Sequence, residues 1–566
     1  MDKKIEELKN AADFLKNNEY LPAAKCYANV AELLEKAGNI EEAEIIFQNI
    51  IDCYNKEAES NIGQNKHHEA AEIFLAAGEL KIRLNEEDLS REYYNKAVQQ
   101  FIKAAEQTLN QDDFQNAGDF FKKAAFYLEQ EIQDMDLANK IYNKAIDCYQ
   151  KFKNQIVIEE DFKKATHITQ IIAILYERTG NYEKAIEIDN NALEMAKKRD
   201  LVQIITDCYL HMAHCYLKLD KKEKMIKTLK IAKDYNIKSG KLKMEKKNYL
   251  EASESFDNAI SILKELNKLI VKNSKILEEI NQSYINKADC YIKIADSNLN
   301  QAEIDRAAHF QRNAALCHRL IKKHKNAAEL FVEAGTNFEK LNAKKLAAIN
   351  FRDAGLQYEL IKKPKTAADL LLSAAKLAKI EGTNEISIEC YRDTLRNFEC
   401  FDDMKKFEET LKELEELLKT LAEEEETEKN FHIAASYFFE IGNYYNSLKK
   451  PKKAEIYYNG AIDNLQKAVE IAIEEEQLTI AAYSLSCFII IKLIVNDTNI
   501  ESILAMYRNS LGENNYFKFS EDLYKEYISE EKKILEIIEK YEYIIKHSDE
   551  LDYLISKLTE IMKIQD

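Results

Sequence analysis

Residues 326–359 read NAAELFVEAGTNFEKLNAKKLAAINFRDAGLQYE, and the phrase near their start returns twice. AAELFVEAG begins at Ala327, AAINFRDAG at Ala347 and AADLLLSAA at Ala367, so the copies are evenly spaced. In the middle copy Ala347, Phe351 and Ala354 stand at offsets of 0, 4 and 7, which share one stripe of an α-helix. Small residues at both ends of the stripe let a neighbouring helix come close, and the aromatic fills the space between turns.

The same small–large–small triplet recurs along the chain. It appears at Ala23/Tyr27/Val30, Ala43/Phe47/Ile50, Ala70/Phe74/Ala77, Ser90/Tyr94/Ala97, Ala117/Phe121/Ala124, Ala138/Tyr142/Ala145 and Ala185/Asp189/Ala192. It continues at Ala327/Phe331/Ala334, Ala367/Leu371/Ala374 and Ala454/Tyr458/Ala461. Upstream of Ala454 lie Phe438, Ile441, Gly442 and Tyr445, so a partner helix precedes the triplet helix. This arrangement resembles the tetratricopeptide repeat (TPR). Turn signals separate the helices: Gly38-Asn39 and Gly180-Asn181 end one, while Pro364 and Pro451 open the next at equivalent positions. The expected fold is all-α, a TPR-like α-solenoid (a right-handed superhelix of helical hairpins) with a C-terminal helical cap. Each hairpin buries its stripe only against its neighbours, which is why the phrase must be repeated.

Composition agrees. Of 566 residues only 12 are Gly and 3 Pro, too few for a turn-rich β fold, while 32% are charged and 46% apolar. Net charge is −18, which argues against a general affinity for nucleic acid. The N-terminal MDKKIEELKNAADFLKNNEY has no signal-peptide core, and the apolar run from Ile480 to Val495 contains Lys492 and is too short to span a bilayer. A cytoplasmic protein is expected, with at most peripheral membrane contact through a partner.

The rhythm suggests four segments: an N-terminal array over 1–260, a second over 261–405, a long heptad helix with the last hairpins over 406–495, and a cap over 496–566. Between Ile260 and Ile294 apolar spacing continues without a turn signal, predicting unusually long helices. Phe407, Leu411, Leu414, Leu418 and Leu421 step 4-3-4-3, a heptad seam that could face its own solenoid or another protein.

Chemistry is sparse. Cys53 and Cys148 occupy matching strings, as do Cys215, Cys290 and Cys317, so cysteine behaves as a small apolar filler. In CYLHMAHC, Cys208, His211 and Cys215 share a helix face, open to packing or to metal; zinc usually draws four ligands from separate elements, so packing is the expectation. There is no phosphate-binding glycine loop, nucleophile elbow or His-Glu-x-x-His helix. No catalytic, cofactor or metal site is expected. No hairpin carries the Lys/Asn pair of a chaperone carboxylate clamp. Charge is uneven: Lys218–Lys247 holds twelve Lys against four acids, and Leu411–Asn430 eight Glu against three Lys. The basic stretch is either a solvated surface or a stripe for an acidic helical partner or anionic lipid.

Two runs carry a more specific resemblance. Residues 66–152, opening KHHEAAEIFLAAGELKIRLNEEDLSREYYNKAVQQF and closing AFYLEQEIQDMDLANKIYNKAIDCYQKF, are similar to soluble NSF attachment proteins (SNAPs). So is the end of the chain from Phe517, FKFSEDLYKEYISEEKKILEIIEKYEYIIKHSDELDYLISKLTEIMK, where Leu551-Asp552-Tyr553 corresponds to the family's Leu-Asp-x-Trp segment. The resemblance spans about residues 10–155 and 300–566. It implies a non-enzymatic adaptor whose solenoid binds a helical bundle or coiled coil, such as a SNARE-like partner. Its C-terminal cap would present that partner to an AAA ATPase or other effector, in vesicle or membrane traffic. The candidate partner-binding residues are Lys222, Lys230, Lys241, Lys344, Leu551, Asp552 and Tyr553. The competing reading is a generic TPR scaffold for a complex unrelated to membrane fusion.

Overall fold

The computed structural model describes residues 2–158, 161–199, 201–270, 273–300, 303–497, 499–529 and 533–563. Among them every regular element is helical. Within each of two units most successive helices pack on one another in chain order, joined mostly by three-residue turns that force antiparallel hairpins. The chain divides into two compact units, Met1–Ile294 and Ala295–Asp566, with the division inside the helix Ser274–Asn300.

The repeat has a simple metric. Ile304–Leu320, His324–Lys340, Lys344–Leu360, Pro364–Ile380 and Asn384–Cys400 all have the same length, 17 residues, and begin at even intervals. The other recurring length is 24 residues, in Ile40–Gly63, Met135–Ile158, Lys222–Glu245, Met404–Thr427 and Pro451–Glu474. After Ile40–Gly63, Lys222–Glu245, Met404–Thr427 and Pro451–Glu474 a turn of the same length precedes the next helix, which begins at His67, Tyr249, Phe431 and Leu478 respectively. The longer helix therefore exceeds the shorter by seven residues, close to two full turns at about 3.6 residues each. The apolar stripe keeps its direction whichever length is used. One departure from the metric has a visible cause: Phe114–Tyr127 runs into a π-helical turn at Leu128–Ile132, and the next helix opens at Met135, one position later than the shorter step would place it. A π turn accommodates one inserted residue without ending the helix.

Turns use a left-handed residue in nearly every case. Gly38, Gly180 and Gly382 occupy it where the sequence has glycine, but Asn65, Asn85, Asn342 and even Lys322, Lys362 and Lys449 adopt the same positive φ. The geometry is that of a Schellman motif: Lys323 N donates to His318 O at 2.9 Å and Lys363 N to Tyr358 O at 3.0 Å. This explains how so many hairpins are built with so few glycines. Pro364 and Pro451 begin their helices as expected, where a missing N–H costs nothing.

The triplets form the core. Ala327, Phe331, Ala334, Ala347, Ala354, Ala367, Leu371 and Ala374 are fully buried, and Phe351 nearly so. Burial of each such large side chain contributes about 2–3 kcal/mol. Where Ser replaces the first Ala, its hydroxyl crosses the hairpin: Ser90 Oγ donates to Gly78 O, and Ser387 Oγ to Ala375 O, each at 2.9 Å. The cysteines at 53, 148, 208, 215, 290 and 317 are buried among these side chains as fillers.

The segment expected to form unusually long helices holds two. Tyr249–Leu269 ends with Ile270 in an extended conformation, and Ser274–Asn300 follows with 27 residues. The apolar run is a buried helix, Leu478–Ile494, with packing on nearly every side. The cap helices Asn515–Ile528 and Asp549–Lys563 both rest on it. Lys492 reaches out of this surround to Asp497 at 2.5 Å. Among the described residues no helix is long and apolar enough to cross a membrane.

Candidate functional site

The C-terminal candidates separate by role as soon as their helix docks. Leu551 is fully buried, Asp552 faces solvent, and Tyr553 is 43% exposed. Tyr553 sets its ring edge-on to Phe439, centroids 6.1 Å apart, and Asn443 Nδ2 approaches its hydroxyl at 3.5 Å. Leu551 thus anchors the helix, while Tyr553 walls a cavity of about 460 Å³.

That cavity is lined by Arg392, Phe439, Glu440, Tyr444, Glu550 and Tyr553, among others. Arg392 grips Glu440 in a two-pronged pair, Nε to Oε1 at 2.7 Å and Nη2 to Oε2 at 2.5 Å. Burial pushes the Tyr444 phenol up, with Glu440 adding to the effect. The cavity thus holds an internally paired cation between aromatic walls. Nothing in local sequence spacing marks this cavity, because Arg392, Glu440 and Tyr553 come from three separate helices.

The heptad seam faces inward. Phe407, Leu411, Leu414 and Leu418 are buried and Leu421 is half-buried, packed within their own unit. A coiled coil to another protein through these leucines is thereby replaced by intrachain packing; the exposed face is polar, with Glu409, Lys412, Glu416 and Lys419. Glu415 is also spent internally, accepting from the hydroxyls of Tyr445 and Tyr457 and from Lys453 Nζ at 3.2 Å.

In the basic stretch several lysines are committed. Lys233 is buried and bridges Asp234 at 2.7 Å and Glu279 at 2.8 Å, Lys221 pairs with Glu183, and Lys243 with Glu251. Lys222, Lys230 and Lys241 are exposed on the helix Lys222–Glu245, with no ion pair among the described residues. Offsets of 8 and 19 from Lys222 place Lys230 and Lys241 within about 20° of each other on the wheel. Lys344 opens the helix Lys344–Leu360 in the other unit and is half-buried.

The CYLHMAHC cluster is a polar network. Asp189, which stands where other triplets have an aromatic, is fully buried and meets His211 Nδ1 at 2.6 Å. His211 Nε2 meets Glu177 Oε2 at 2.9 Å, and His214 Nε2 lies 3.1 Å from Glu177 Oε1. Both His211 nitrogens are therefore engaged by carboxylates, with Cys215 Sγ at 4.0 Å and Cys208 buried alongside. Burial alone would push His211 down, but hydrogen bonds to Asp189 and Cys215 and the charge of Asp189 raise it to about 11. Burial and the nearby Glu177 push the Asp189 carboxyl up as well. Both shifts mean that the cluster holds on to its proton.

A second cluster, also invisible to local spacing, joins His432, Tyr483, Cys487 and Glu550 beside the C-terminal cavity.

Comparison with known proteins adds a family resemblance over part of the chain. The model described as "Soluble NSF attachment protein, SNAP" matches residues 51–234. The match contains the run at 66–152 and extends beyond it into the Lys-rich helix, while the C-terminal run from Phe517 lies outside it. Among curated proteins none matches this chain in sequence. Similar solved structures include BtubC from P. vanneervenii, 14% identical over 50% of this chain and 91% of that one, with a TM-score of 0.19. A STAND ATPase with a tetratricopeptide repeat sensor from Pyrococcus horikoshii is 12% identical over 77% and 56%, with a TM-score of 0.22. A Rap protein complexed with competence and sporulation factor is 11% identical over 54% and 98%, with a TM-score of 0.19. The chain is a helical-repeat protein that, over residues 51–234, is similar to the soluble NSF attachment protein family.

Proposed function

We propose that the chain is a SNAP-like, non-enzymatic adaptor that binds a helical protein partner and presents it to an AAA ATPase or similar effector. The observation that carries this reading is the family match over residues 51–234, which ends inside the Lys-rich helix. Lys222, Lys230 and Lys241 supply that helix with cations not spent on ion pairs among the described residues, suited to the acidic surface of a helical bundle. The C-terminal helix, with Asp552 exposed and Tyr553 partly so, is the surface offered to the effector. Cytoplasmic residence, with membrane contact only through the partner, and a role in vesicle traffic follow from the same reading. A generic TPR scaffold serving an unrelated complex is the second reading, supported by the repeat continuing outside the matched segment.

Capture from a lysate of the native cell tests the two. Recovery of a coiled-coil membrane protein together with an AAA ATPase supports the adaptor, provided that Lys222→Glu/Lys230→Glu/Lys241→Glu loses the helical partner while retaining its helical circular dichroism. Recovery of neither protein class overturns it. A soluble complex lacking both favours the generic scaffold.

A further inference from the structure

Three separate helices bring three different metal-ligating side chains together near the C-terminus. His432 comes from Phe431–Ser447, Cys487 from the buried Leu478–Ile494 and Glu550 from Asp549–Lys563. One potential ligand atom from each lies within 4.8 Å of the others. We propose that His432, Cys487 and Glu550 form a zinc site that fastens the C-terminal helix to the preceding helices.

The surroundings are those of a built site. His432 Nδ1 is 3.1 Å from Glu550 Oε2, while Nε2 is buried without a hydrogen-bond partner. A buried polar atom left unpaired is costly, and an ion bound to it removes that cost. Tyr483 stacks on the imidazole at 5.1 Å and 14°, fixing the ring plane. Its hydroxyl donates to Glu550 Oε2 at 3.1 Å and lies 2.7 Å from Ser548 Oγ, so the carboxylate is oriented too. Such outer partners are what hold ligands in place at metal centres. Glu550 also lines the neighbouring cavity, which gives an ion a route in.

The donor set selects the metal. Sulfur, imidazole nitrogen and one carboxylate suit borderline-soft zinc, whereas calcium and magnesium prefer oxygen alone. Charge closes as well. On binding, the Cys487 thiol gives its proton to solvent and the thiolate sulfur bonds zinc; His432 binds neutral and Glu550 as carboxylate. The ion's +2 is then balanced by two −1 ligands, which a buried site needs. A tetrahedral centre leaves one position for water. Ligand atoms up to 4.8 Å apart must close by about 1 Å to share one tetrahedral zinc. This inference does not depend on the adaptor reading.

The test uses the full chain stripped of metal and titrated with zinc, then with cobalt as a spectroscopic stand-in. One equivalent of zinc should bind with release of a proton, and cobalt should give tetrahedral d–d bands with thiolate-to-cobalt charge transfer. Cys487→Ser should abolish the charge-transfer band, and both it and Glu550→Gln should weaken zinc binding at least about tenfold. Hydrogen exchange in residues 549–563 should slow with zinc in the parent chain and not in Glu550→Gln. Cys400→Ser, at the exposed cysteine, should change nothing. Absence of stoichiometric zinc, or binding that survives Cys487→Ser and disappears in Cys400→Ser, overturns the site. Circular dichroism of each variant separates lost ligation from lost folding.

Discussion

Gly335 faces Phe351 across its hairpin so closely that a Cβ at Gly335 would meet the ring at 2.8 Å. The pairing recurs at the same sequence separation in Gly78/Tyr94, Gly240/Phe256, Gly355/Leu371 and Gly442/Tyr458. The small residue of one helix is thus the socket for the large residue of the next.

Gly335→Val is expected to destabilise the chain by about 3 kcal/mol, since the ring is itself packed and must shift. Gly335→Ala should cost less, because the gain in helix propensity, about 1 kcal/mol, offsets part of the crowding. A methyl group at Gly63 would have nothing within 4 Å, and its φ is helical, so Gly63→Ala should raise stability by up to about 1 kcal/mol. Denaturant midpoints of the three variants check the ordering; a neutral Gly335→Val would refute the socket.

The left-handed lysines carry a removable cost. Lys322, Lys362 and Lys449 have φ of 59°, 58° and 56°, a region that costs an L-residue about 1–2 kcal/mol. Lys362→Gly should raise the thermal midpoint, with a net gain of about 0.5–1 kcal/mol after the extra freedom of glycine in the unfolded chain. A lower midpoint would show that the lysine side chain stabilises the turn.

The Asp189–His211 pair makes stability depend on pH. With His211 raised to about 11 from an ordinary 6.5, its contribution is complete below about pH 6.5 and declines as pH rises, vanishing above about 11. Asp189→Asn should bring His211 back toward the ordinary range, as read by its imidazole NMR signals. The variant should also lose about 3 kcal/mol or more, because a buried charge partner is removed. An unchanged His211 titration would show that Glu177 alone holds the proton.

Charge reversal on the basic helix should separate binding from folding. Lys222→Glu/Lys230→Glu/Lys241→Glu is expected to shift stability by no more than about 0.5 kcal/mol per site, since these side chains are exposed. Capture of a helical partner by the parent chain should weaken as salt rises, the range of exposed charges being about 8 Å at physiological ionic strength. Salt-independent capture, or capture unaffected by the triple variant, would move the binding surface elsewhere.

The helices, their stripes and many of their turns were legible in the sequence because each hairpin packs on its neighbours along the chain. Ala347, Phe351 and Ala354 find their contacts in the helices next to their own, so periodicity alone reports the packing. The break after Leu269 and the inward direction of the 407–421 seam were not legible, since an apolar stripe does not say which surface covers it. Turn residues were half legible: Gly38 and Gly180 announce a left-handed position, whereas Lys362 adopts it only because the hairpin on either side requires it.

By itself, then, the sequence determined an all-α repeat, its helix phase and, over residues 51–234, its likeness to SNAPs, because these are written in local spacing and in motifs. Tertiary structure alone decided what the exceptions do. Asp189, in an aromatic's place, became intelligible once His211 and Glu177 closed on it. Tyr483 and Glu550, far apart in the chain, meet because the cap folds back on the buried helix. The physical reason is the same in both: a polar group in a core is tolerated only with its partner, and nothing in local spacing says where that partner comes from.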